Sequence, residues 1–83
     1  MKTIELEQSI PGQIRAAKRR TAEAIETASS WKALEEHREK VNHLYLALFF
    51  WEKYHKRKRT HDFHTTESKQ QALQTIIDYL RRI

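Results

Sequence analysis

Residues 44 to 51 read Leu44-Tyr45-Leu46-Ala47-Leu48-Phe49-Phe50-Trp51. At about 100° per residue, a run of this length puts apolar side chains on every side of a helix, not on one stripe. Such a segment calls for neighbours in several directions. It is also far short of the roughly 20 apolar residues that span a bilayer. The stretch predicts a helix enclosed from several directions within a soluble bundle, with no membrane partner.

The surrounding composition agrees with helices. Gly12 and Pro11 are the only glycine and the only proline. A β-sandwich or barrel needs turn residues at nearly every corner, and this chain lacks them. Ala, Glu, Lys, Arg, Gln and Leu are abundant, and all favour helix. The 83 residues make one domain, spanning 1–83, with a small core. There is no cysteine, so packing alone must hold it together, and a reducing, cytoplasmic setting is expected. Met1 to Glu7 offers no apolar signal core, so no leader is expected.

The central run extends into a helix over about residues 30–58. Leu34, Val41, Leu44, Leu48 and Trp51 keep a seam at spacings of three, four and seven, interrupted by His37 and Arg38. Its length is roughly 40 Å, against roughly 27 Å for its neighbours. Upstream, Ser9 is a plausible cap and Pro11 suits a first turn. The helix they open runs over about 10–28, with Ile10, Ile14, Ala17, Thr21, Ala24, Ile25 and Ala28 on one face. Ser29 or Ser30 can cap the central helix. A continuous helix through both serines is the main rival. Residues 59 to 66 lose the periodicity and read as a loop. Thr65 or Thr66 then caps a helix over about 66–83, with Ala72, Leu73, Ile76, Ile77, Leu80 and Ile83 on one face.

Ile4 and Leu6 alternate with polar residues, so residues 1–9 read as an arm of undecided structure. The expected fold is all-α: a three-helix antiparallel bundle with a long central helix and a short N-terminal arm. The outer helices would cover two flanks of the central run. Its remaining side would need the arm or a second chain.

Sixteen Lys and Arg stand against eleven Asp and Glu, a formal +5. The excess is concentrated in Lys53-Tyr54-His55-Lys56-Arg57-Lys58-Arg59. Phosphate backbones attract such runs through counterion release, and an aromatic such as Tyr54 offers a stacking face. The same cations also suit a helix C-terminus. If the chain reverses near residue 29, Arg15, Lys18, Arg19 and Arg20 approach the same end. Glu23, Glu26, Glu35, Glu36 and Glu39 collect at the other. The expected molecule is electrically polarised, which steers partners more than its net charge does.

Other chemistry is poorly supported. His55, His61, His64 and Asp62 include imidazoles at ligand spacing, but five neighbouring cations oppose a divalent ion, so no metal is expected. Glu35, Glu36 and Glu39 read as surface carboxylates paired along the helix. There is no phosphate-cradling glycine loop and no nucleophile elbow, so no catalytic residue and no cofactor is expected. A helix-turn-helix needs compact helices and a short turn, which the long central helix opposes.

These readings lead to a non-catalytic protein that binds nucleic acid or another anionic macromolecule. Lys53, Lys56, Arg57, Lys58 and Arg59 would meet phosphates, Arg15, Lys18, Arg19 and Arg20 would extend the footprint, and Tyr54 would stack. The alternative is an adaptor or inhibitor of a protein target, with Tyr45, Phe49, Phe50 and Trp51 as its interface. Some of these aromatics could instead form a homodimer contact.

Overall fold

The computed structural model describes residues 3–27 and 29–83. Three α-helices pack against one another: α1 Thr3–Thr27, α2 Trp31–Arg59 and α3 Thr66–Arg81. There is no strand among the described residues. The particle measures 47 × 18 × 16 Å, and its long dimension is that of α2.

Two caps separate the helices. Ser30 caps α2, its Oγ accepting from the Ala33 amide at 3.2 Å. That breaks the chain after α1 and removes the continuous-helix rival. Thr65 caps α3, accepting from the Ser68 amide at 3.0 Å. Both are β-region residues whose hydroxyls satisfy an otherwise orphan N–H. The tail of α2 closes without glycine. His61 takes a left-handed φ of 54°. The Asp62 amide then donates to the Arg57 carbonyl at 2.9 Å, and the His61 amide to the Lys58 carbonyl at 3.3 Å. This pair of bonds is a Schellman closure.

The expected arm over 1–9 is not an arm. From Thr3 onward it is the first two turns of α1; Met1 and Lys2 lie outside the described residues. Leu6 and Ile10 are buried one turn apart, on the stripe that continues to Ile14, Ala17 and Thr21. This face outweighs the strand-like alternation of Ile4 and Leu6, leaving Ile4 exposed. Ser9 is therefore inside the helix, not its cap, and donates to the Leu6 carbonyl at 2.8 Å. Pro11 is interior as well, where it can supply no N–H to the preceding turn. The α1 boundary expected at Ala28 also falls outside the described residues.

The core comprises Leu6, Ile10, Ile14 and Ala17 from α1, Ala47 and Tyr54 from α2, and Leu73, Ile76, Ile77 and Leu80 from α3. Its position follows from the lengths. By residue count α3 is about 24 Å long, against about 43 Å for α2. It lies beside α2 from about His43 onward, with Tyr79 against His43 and Phe50. Beyond its reach, α1 and α2 continue as a two-helix projection. None of the described residues from 22 to 46 is buried. Ile25 and Leu34, expected on apolar faces, are exposed there because no third helix covers them.

The central run is likewise not enclosed. Ala47 is buried, and Leu44, Leu48, Phe50 and Trp51 are half-buried against the core. Tyr45, Leu46 and Phe49 are exposed. Two neighbouring helices cover two flanks of α2 and leave the third open.

Candidate functional site

The basic run occupies the last two turns of α2 and divides into two groups. Lys58 Nζ donates to Glu7 Oε1 at 2.6 Å. The Arg57 guanidinium sits 4.2 Å from the Phe63 ring centroid and 3.8 Å from the Asp62 carboxylate. These two cations are held by the fold. The side chains of Lys53, Lys56 and Arg59 are exposed and make no hydrogen bond or ion pair with another described residue. The free positive charge at this end belongs to those three.

Tyr54 has a different role from the one expected of it. It is 2 % exposed. Trp51 stacks on it at 5.7 Å, Phe63 packs at 5.3 Å, and its hydroxyl donates to Glu7 Oε2 at 2.7 Å. No face of the ring is open to a base, so Tyr54 does not stack on a ligand. Its neighbour His55 lies edge-on to Trp51 at 4.2 Å.

Glu7 thus joins α1 to α2 through two hydrogen bonds. Partial burial pushes its carboxyl up, but the bonds from Lys58 and Tyr54 and their positive surroundings outweigh that and leave it below the ordinary value. Burial first, and then the bond to Glu7, push the Tyr54 phenol up. Because the folded carboxyl is the stronger acid, its contribution is complete above the unfolded carboxylate pKa. It is lost as pH falls through the folded value. Tyr54→Phe should cost about 1–2 kcal/mol at neutral pH, since it removes a bond to a charged acceptor. Urea titrations at neutral and strongly acidic pH check this: the gap between wild type and variant should narrow in acid. A gap independent of pH would mean that the hydroxyl does not act through ionised Glu7.

The cations of α1 do not join the basic end of α2. Glu7 marks the level of Tyr54 and Lys58. Arg15 is eight residues further on, about 12 Å along the axis, and Arg20 about 20 Å. Arg20 instead shares a surface groove with Gln13, Ala16, Leu80, Arg81 and Ile83. Arg15, Lys18, Arg19 and Arg20 are exposed but form a separate group, which Arg81 extends. The expected single basic end failed because the first turns of α1, with Glu5 and Glu7, occupy the place assigned to these cations.

The aromatic interface also divides. Tyr45 is 67 % exposed and Phe49 59 %. Phe50 stacks on Tyr79 at 5.7 Å, and Trp51 is taken up by Tyr54 and His55. Asp62 is engaged by Arg57 rather than by the histidines. Among the described residues no three His, Asp or Glu side chains form a group able to hold a metal ion. No helix of the described residues is long and apolar enough to cross a membrane.

Glu7, Phe63 and Arg81 are the contributors that sequence reasoning missed. Glu7 lay in the supposed arm, and nothing in its local pattern announces partners about 50 positions away; Phe63 lay in a loop, and its seat against Tyr54 and Arg57 depends on how the chain turns after α2. Comparison with family models, curated proteins and solved structures finds no match to this chain.

Proposed function

We propose that this is a small non-catalytic binding protein of the cytoplasm whose basic α2 end engages an anionic macromolecule, nucleic acid in the first place. In this reading α2 is the long central helix of an antiparallel bundle, and its C-terminal turns project the charge. The observation that carries the reading is the trio Lys53, Lys56 and Arg59, whose side chains are exposed and have no partner among the described residues. A rigid helix presents them, which limits the ordering cost of binding. Arg57 supports them from its seat on Phe63. With no exposed ring among these residues, the contact is to phosphates, and sequence preference should be weak.

The test is a titration of duplex DNA and of single-stranded DNA and RNA at two salt concentrations. Three to four neutralised phosphates should lower affinity roughly 40- to 150-fold between about 50 and 200 mM salt. Binding that does not change with salt, or no binding at low salt, would rule the mechanism out.

The exposure of Tyr45 and Phe49 favours a second reading, an adaptor docked on a protein target. There, removing the aromatics would abolish binding while removing the cations would mainly slow association.

A further inference from the structure

We infer that the open side of α2 is a self-complementary face on which a second copy of this chain docks antiparallel. The face is Trp31, Glu35, Arg38, Asn42, Tyr45, Phe49, Glu52 and Lys56. The steps alternate between four and three, the average repeat of about 3.5 that keeps one helix against another. All eight residues are exposed. They include Trp31 at 77 % together with Tyr45 and Phe49, the most exposed aromatic side chains of the described residues. No described residue covers them, and residues 3–9, expected as an arm, are built into α1. The exposed parts of these three rings supply roughly half of the ~800 Å² per partner of a standard interface.

Charge selects both the occupant and its direction. Reading from the N-terminal side, the charges on the stripe are Glu35, Arg38, Glu52 and Lys56. A parallel second copy would set each charge against its own kind. An antiparallel copy centred on Tyr45 sets Glu35 of one chain on Lys56 of the other and Arg38 on Glu52. The two-fold repeats each pair. Phe49 then meets Asn42, and the two Tyr45 rings meet at the axis. The neighbouring antiparallel register, shifted by three positions, would put Glu35 on Glu52, so charge disfavours it. Like charges facing each other across an interface discriminate strongly against a wrong register.

This inference does not rest on nucleic-acid binding, and its test contains no nucleic acid. Lys56 belongs to both surfaces, while Lys53 and Arg59 flank it. Sedimentation and light scattering at concentrations up to about 100 μM should give twice the 10.0 kDa chain mass. Phe49→Asp should give the single-chain mass with unchanged helicity. Glu35→Lys and Lys56→Glu should each weaken association at least about tenfold, and the chain carrying both should recover it. Because the chain has no cysteine, Tyr45→Cys is a clean reporter that should cross-link to its own copy on mild oxidation.

A single-chain mass at every concentration would overturn the inference, as would a dimer indifferent to Phe49→Asp. A dimer that the double charge exchange fails to restore, or that Tyr45→Cys fails to cross-link, would overturn this docking mode.

Discussion

Ile76→Ala should lower the stability of this protein by about 2–5 kcal/mol, the usual range for truncating a buried aliphatic side chain. Ile76 is fully buried on the packed face of α3, between Leu73 and Leu80. A domain of this size has only about 4–12 kcal/mol in total, so the loss is a large fraction. Few other residues can compensate, because the ten apolar core residues all lie in the part of the bundle that α3 reaches. The urea midpoint should fall by more than about 1 M with the slope unchanged. Leu34→Ala is the control. It changes an apolar residue of the two-helix projection, exposed where no third helix covers it, and should cost under about 1 kcal/mol. Equal losses in the two variants would show that the projection contributes to the core.

Lys53→Glu combined with Arg59→Glu should weaken nucleic-acid binding about 100-fold at moderate salt, or about 2.7 kcal/mol. Both side chains are exposed and have no partner among the described residues, so the fold should tolerate the change. Arg57 is unsuitable for this purpose, since reversing it would also disturb Phe63 and Asp62. Lys58 is unsuitable because it holds Glu7. Arg15→Glu with Arg19→Glu makes the same change in net charge on the separate group of α1. If the α2 end is the working surface, that variant should lose less than about threefold. Equal losses would mean that anions respond to the overall charge and not to a patch. Fluorescence anisotropy with a labelled duplex measures both, and circular dichroism checks that the helices persist.

The helices were largely legible in the sequence. Their signals are local: scarce glycine and proline, serine and threonine caps, and the apolar repeat of α3. The extent of α1 was not legible, because Ile4 and Leu6 fit a strand alternation as well as a helix. Their reading is decided by Leu6, which finds a place beside Ile10 in the core. The site was legible only as a list of cations. Which of them are free depends on Glu7 and Phe63, whose partners lie on other elements.

The sequence by itself determined an all-helical chain with a basic run at the end of its longest helix. Periodicity, capping and charge order are properties of near neighbours, and near neighbours are what a sequence displays. Only the tertiary structure decided that Tyr54 is buried, that the α1 cations stand apart, and that one side of α2 is open. Those outcomes depend on relative helix lengths and on contacts between distant positions. A helix of 16 residues cannot cover one of 29, and the run at 44–51 shows no trace of that shortfall.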